Sequence, residues 1–166
     1  MVYNRDIVNK IKDLLCAKQL TLAVAESVTA GHLQAAFSSA IDASKFFQGG
    51  ITAYNAGQKC RHLDIEPIAA LADDCVTEKV ASEMSVKVNT LFISDYGIAI
   101  TGYATKVPEK GINNLYAYFA IAQKGELLLT KKINTLKEGV EAQVDYTQQV
   151  IKEFEQLLLH PHFKKP

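Results

Sequence analysis

The rhythm of apolar residues changes several times along this chain, and that alternation restricts the fold more than any other feature of the sequence. Ile7, Ile11, Leu14 and Leu15 fall at helical spacing, so residues 5–18 read as an amphipathic helix. Residues 20–26 (LTLAVAE) form a short apolar run with no helical stripe, the signature of a buried strand. The Ala-rich stretch 28–40, with Leu33, Ala36 and Phe37 on one side, suits a helix. Gly49 and Gly50 then precede a second strand over 51–54. Pro67 fits the first turn of a short helix over 67–73. Thr77 is placed to cap a helix running to about residue 91, with Glu78 at the positive end of its dipole. Apolar segments at 95–102, 114–123 and 126–134 follow, and Gly125 between the last two marks an antiparallel hairpin. A final helix over 138–159 would turn Val140, Val144, Ile151, Phe154, Leu157 and Leu158 toward the core. The order α-β-α-β-α-α-β-β-β-α predicts the α/β class, a three-layer α/β/α sandwich with a mixed sheet.

Composition removes several alternatives. The 166 residues suit one domain spanning 1–166, and a chain of this size needs no disulfide or metal staple. Eighteen basic and eighteen acidic side chains give a formal net charge of zero, against the cationic surplus of a non-specific nucleic-acid or membrane-surface binder. Neither partner is expected. Cys16, Cys60 and Cys75 are far apart and form no C-x-x-C pair, so neither a zinc knuckle nor a thioredoxin-type site has its spacing. Reduced cysteines, a charged N-terminus and the lack of an apolar run near ~20 residues point to a cytoplasmic protein.

The most informative stretch for chemistry is 20–33, LTLAVAESVTAGHL. A buried strand ends at Glu26 and a turn of small residues opens a helix. That places the Ser27 hydroxyl near the sheet edge, beside unpaired amides of the helix's first turn, where an anion or oxyanion would fit. An ordinary Ser N-cap accounts for the same residues. The turn is neither a G-x-G-x-x-G dinucleotide motif, nor a P-loop, nor a G-x-S-x-G elbow. In 49–62 (GGITAYNAGQKCRH), Lys59 follows Tyr54. Ser–Lys is a recurrent alternative to Ser–His–Asp, provided that burial takes the lysine's proton near neutrality. A solvated surface lysine is the plainer alternative.

Residues 24–33 (VAESVTAGHL) and 49–63 (GGITAYNAGQKCRHL), at a separation needing no insertion or deletion, resemble the CinA C-terminal domain family, the nicotinamide-nucleotide amidohydrolases. The likeness continues through Val76-Thr77-Glu78, Ile100-Thr101-Gly102, Glu109–Lys110 and the aromatic strand 115–119, covering roughly 5–155. It implies a three-layer α/β/α sandwich and hydrolysis of the carboxamide of nicotinamide mononucleotide, giving nicotinate mononucleotide and ammonia. Ser27 would match the nucleophile, Lys59 the general base and Tyr54 an assisting hydroxyl. Glu26, Thr29, Ala30 and Gly31 would surround the substrate on one side, and Thr101, Gly102 and Lys110 on another. No metal or cofactor is implied. The expected partner is a pyridine nucleotide, and homo-oligomers are possible.

The chain also departs from the family pattern. Val28 and Ala30 replace a Cys and a Gly, and Asn55–Ala56 replaces Ser-Asn. The loop Tyr103-Ala104-Thr105-Lys106-Val107-Pro108 is about three residues shorter and lacks the family's glycines. The arginines before the last helix are absent around Leu136-Lys137-Glu138. These changes leave open an amidohydrolase with another substrate, or a catalytically silent relative that binds a nucleotide or a protein. Elsewhere, His32 reads as solvent-facing, His160 and His162 as a tail, and Lys131–Lys132 as the wet side of a hairpin. The aromatics at 116, 118 and 119 read as sheet packing.

Overall fold

A computed structural model describes residues 2–160. Its sheet is built outward from β1 (Leu22–Glu26), whose five residues are all buried. Such a strand must be covered on both faces, which the near-continuous apolar run in the sequence signals. β1 pairs in parallel with β2 (Phe47–Thr52) on one side and β3 (Tyr96–Gly102) on the other. β3 pairs antiparallel with β4 (Leu115–Gln123), and β4 with β5 (Glu126–Thr135), giving the order β2-β1-β3-β4-β5. Lys124 and Gly125 turn the β4–β5 hairpin at φ 50° and 82°. Two positive φ values in a two-residue loop suit the right-handed twist of the flanking strands.

The two-residue period of the strands divides the core. Leu22 and Val24 of β1, Ile98 and Ile100 of β3 and Phe119 and Ile121 of β4 meet one helical layer. That layer holds α1 (Arg5–Cys16), α2 (His32–Ser38) and α6 (Val140–Leu159). Ala23, Ala25 and Ala99 face the other layer, with α3 (Ala56–Leu63) and α5 (Glu78–Leu91). A short α4 (Pro67–Leu71) leads into α5. Small residues on this second face let α5 lie close to the sheet. A Cβ built on Gly97 would fall 2.1 Å from the Ser85 carbonyl oxygen. The α/β/α sandwich expected from the apolar pattern is the architecture found, and Asn4 and Thr77 cap α1 and α5 with their side chains.

Four local expectations are corrected. The helix expected over 28–40 occupies only His32–Ser38, because 27–31 form a turn with Ala30 and Gly31 in left-handed conformations. The second strand begins at Phe47 and contains Gly49 and Gly50 instead of following them. At Gly50 a Cβ would lie 2.5 Å from a Val24 methyl, so close approach to β1 outweighs glycine's poor strand propensity. α3 was not expected at all. Its sequence, AGQKCRHL, is mostly polar, and its start is set by Asn55, whose side chain accepts from the Gln58 amide at 3.0 Å. Val140, expected in the core, is exposed, while Ala142, Tyr146, Val150 and Phe154 form the buried face of α6. His162 and the lysines after it lie outside the described residues.

The closeness of α5 to β3 sets a test. Gly97→Ala forces backbone apart, and it is expected to lower unfolding free energy by about 1–3 kcal/mol in urea denaturation. An unchanged midpoint would contradict that packing.

Candidate active site

The end of β1 carries a carboxylate that is fully buried. Glu26 takes up the local donors: its Oε2 accepts from the Thr29 hydroxyl at 2.6 Å and from the Gly31 and Leu33 amides at 3.1 and 2.9 Å. Its Oε1 accepts from the Gln34 amide at 2.8 Å. These are the orphan amides of the first turn of α2, so the helix is capped by a residue of the preceding strand. Glu26 was expected among the substrate-binding residues, and Thr29 and Gly31 with it. The structure instead ties all three to one another and leaves them out of the cleft lining. Ala30, at φ 50°, is exposed and completes the turn.

That turn presents Ser27 at the floor of a cleft of about 360 Å³. The Ser27 amide donates to the Ile100 carbonyl at 3.0 Å, fixing the residue to β3. Among the described residues, the amides of Val28 and Thr29 have no acceptor. Two donors next to a hydroxyl are what an oxyanion site requires. They come from the turn, whereas the sequence reading looked to the helix.

Lys59 enters from α3 on the opposite wall. It is 2% exposed, and its Nζ donates to Ser27 Oγ at 2.9 Å and approaches the Tyr54 carbonyl at 3.5 Å. The cost of burying an ammonium pushes its pKa below the ordinary lysine value, against weaker opposing pulls from the Cys75 and Cys60 thiols. Its position one turn into α3, near the positive end of the helix, acts in the same direction. Burial in turn raises the Cys75 thiol above its usual range. Cys16, Cys60 and Cys75 form no disulfide. A neutral amine in hydrogen-bond contact with a hydroxyl can accept its proton, which is the arrangement of a Ser–Lys nucleophile pair.

The remaining expected residues separate into three groups. Gly102 lines the cleft, and Thr101 does too, although its hydroxyl is committed to the Cys75 carbonyl at 2.9 Å. Tyr54 is 66% exposed at the rim, so its ring overlooks the cleft without packing into it. Lys110 lies in an adjoining cleft of about 460 Å³. There it pairs with Asp74 at 2.5 Å. His32 is outside both clefts, with its Nδ1 2.6 Å from the Tyr3 hydroxyl. Tyr116 and Tyr118 wall the adjoining cleft, with the Lys132 ammonium 4.0 Å from the Tyr116 ring centroid, while Phe119 is in the core. Asp74, Gln143 and Gly139 line the reaction cleft and were not anticipated. No apolar period marks residues contributed by loops and helix starts, and Asp74 directly follows the short helix expected over 67–73. Among the described residues, no cluster of three or more His, Cys, Asp or Glu could hold a metal ion. No described helix is long and apolar enough to cross a membrane.

The sequence and the fold match a known group of proteins. The profile of the CinA C-terminal domain fits residues 4–158, and the chain belongs to that family. It is 33% identical over 153 residues to Protein MG115 of Mycoplasma genitalium, covering 90% of this chain and 96% of that one. It is 43% identical over 94 residues to a CinA-like protein of Picosynechococcus, covering 57% of this chain but 22% of that longer protein. Among solved structures, a CinA superfamily protein of Klebsiella pneumoniae matches with a TM-score of 0.87 at 26% identity, covering 94% of this chain and 98% of that one. The competence/damage inducible protein CihA of Agrobacterium tumefaciens matches at 0.81 and 17% identity, covering 93% of this chain and 97% of that one, a likeness of fold alone.

Glu26 is a direct test of how the turn is held. Glu26→Gln places an amide group among four donors, and its expected cost is about 1–3 kcal/mol in chemical denaturation. Stability equal to the wild type would mean that the carboxylate does not organise the turn.

Proposed function

We propose that this chain is an amidohydrolase that uses Ser27 as nucleophile and Lys59 as general base, with nicotinamide mononucleotide as substrate. The observation that carries the reading is the 2.9 Å contact between Ser27 Oγ and the ammonium nitrogen of a lysine whose burial lowers its pKa. Family membership and the free amides of the Ser27 turn support it. The Lys59 amine takes the Ser27 proton as Oγ attacks the amide carbon. The Val28 and Thr29 amides stabilise the oxyanion of the tetrahedral intermediate. Lys59 then gives its proton to the departing nitrogen, which leaves as ammonia, and Ser27 remains as an acyl ester. Water attacks that ester as Lys59 removes its proton, releasing the carboxylate and restoring the serine. Tyr54, at the rim, would contact the substrate body, which leaves proton movement to Lys59.

A second reading keeps the chemistry and changes the amide. It is favoured by Tyr103, which lines the cleft in the short loop where the family carries glycines. Both readings require ammonia release, and a panel of nicotinamide-like amides separates them.

The expected result is ammonia release from nicotinamide mononucleotide by the wild type, reduced at least about 10³-fold by Ser27→Ala. Equal release by both proteins would overturn the nucleophile assignment, and none from any amide would point to a silent binder. The pH dependence has a defined sign. The reactive form of Lys59 is the free amine, so activity should rise with pH and level off above its folded pKa, below the ordinary 10.5. The unfolded chain holds that proton up to 10.5, so wild-type stability also rises with pH between the two values. Lys59→Met should abolish turnover, raise the melting temperature near neutral pH by a few degrees and lose that slope, at ~3 °C per kcal/mol for a chain of this size. A lower melting temperature would contradict the cost assigned to the buried amine.

A further inference from the structure

The charges around the reaction cleft are few and ordered. Among the described residues that line it, Lys59 is the one lysine and Asp74 the one carboxylate. In the free-amine form that the chemistry uses, Lys59 contributes no charge, which leaves Asp74 as the single charge among the described lining residues. Beyond Asp74, the adjoining cleft shares Asp74, Val76 and Tyr103 with the first and carries both Lys110 and Glu78. A ligand extending from Ser27 therefore passes the shared wall of Tyr103 and Asp74 before it reaches the cleft that holds Lys110 and Glu78.

The backbone holds this sequence of groups in place. Asp74 and Cys75 are consecutive non-glycine residues in the left-handed region, at φ 54° and 64°. Such strain persists only where the surroundings fix it, and it concentrates at functional sites. Here the Thr101 hydroxyl ties the Cys75 carbonyl to β3 at 2.9 Å. Tyr103 is held from three sides. Its hydroxyl donates to Asp74 Oδ2 at 3.4 Å, its carbonyl accepts from the Tyr146 hydroxyl at 3.1 Å, and its ring stands edge-to-face with Tyr116 at 5.5 Å. The Asp74–Lys110 pair, by contrast, is half-exposed on both sides. An ion pair this wet is worth little, so exchanging either partner for a ligand charge costs little.

Building on the amidohydrolase reading, we propose that Asp74 and Lys110 are specificity residues that give up their mutual ion pair for the two charges of the substrate. Asp74, with the Tyr103 ring, takes the cationic pyridinium that bears the carboxamide. Lys110, released from Asp74, takes the phosphate at the other end of the same molecule. Both attractions act on the bound ligand without touching the scissile bond: the carboxylate by charge and the ring face by its quadrupole. A neutral amide gains from neither, so the pair selects a zwitterion.

The test is a charge series bound to protein carrying Ser27→Ala, so that turnover plays no part. Nicotinamide mononucleotide supplies both charges, nicotinamide riboside the cation alone, and nicotinamide neither. Adding Asp74→Asn, a residue that tolerates the left-handed backbone, should weaken the first two about tenfold by calorimetry relative to nicotinamide. Adding Lys110→Gln should weaken the mononucleotide by a similar factor but tighten the riboside, because Asp74 is then released from its partner. Tightening of one ligand beside weakening of another is not the signature of a damaged fold. Equal changes across the three probes, weakening of the riboside by Lys110→Gln, or no binding of any probe would overturn the proposal. Hydrolysis by the unmutated protein is a separate outcome. Its absence would overturn the amidohydrolase reading while the binding series still decided the role of the pair.

Discussion

Four donors converge on one buried carboxylate, and the site depends on that convergence. Glu26 ends β1 where the strand leaves the sheet, and its two oxygens collect the Thr29 hydroxyl and the Gly31, Leu33 and Gln34 amides. A charged group without water is tolerated only when fully hydrogen-bonded, so the turn must fold around it. One consequence is that the first turn of α2 is already satisfied and cannot serve a ligand. Another is that Val28 and Thr29, left over at the top of the turn, keep their amides beside Ser27. The carboxylate thus works by shaping the turn from beneath.

The opposite wall is set by a different balance. Lys59 is buried by a short polar helix that begins at the Asn55 cap, and the upward pulls of the Cys75 and Cys60 thiols on its pKa are weaker than the cost of that burial. The fold accepts the cost of a buried amine, and in return its lone pair lies within hydrogen-bond distance of a serine hydroxyl. Stability and reactivity here trade through a single side chain. The large apolar residues that support this arrangement lie on the α1/α2/α6 face of the sheet, while alanines and Gly97 on the other face let α5 lie close.

Much of the layering was legible from the sequence because strands buried on both faces and helices with one apolar stripe have distinct periods. Thr77 was legible as the cap of α5 because side-chain capping chemistry is local. The exceptions share a cause. Polar α3 was hidden because its stripe is only three small or medium residues long, Ala56, Cys60 and Leu63, even though Asn55 was present as a cap. Gly49 and Gly50 read as a break because glycine is poor in strands, whereas Val24 leaves no room for a side chain at Gly50, and Gly49 holds φ 128° against the Phe92 ring. Ser27 and Lys59 were found by their chemistry and by resemblance. Glu26 was assigned to the substrate because its four partners are distributed over residues 29–34, in a turn whose path no pattern specifies. Asp74 went unnoticed since its place beside Tyr103 and Lys110 exists only after residues 36 apart in sequence are brought together.

The central claim is that Lys59 is a free amine at a pH where an ordinary lysine is charged. Titrating the Lys59 Cε resonance by NMR, assigned by its loss in Lys59→Arg, measures this directly. A midpoint well below 10.5 is the predicted result. A midpoint at the ordinary lysine value would contradict it, leaving Ser27 beside an ammonium that cannot take its proton.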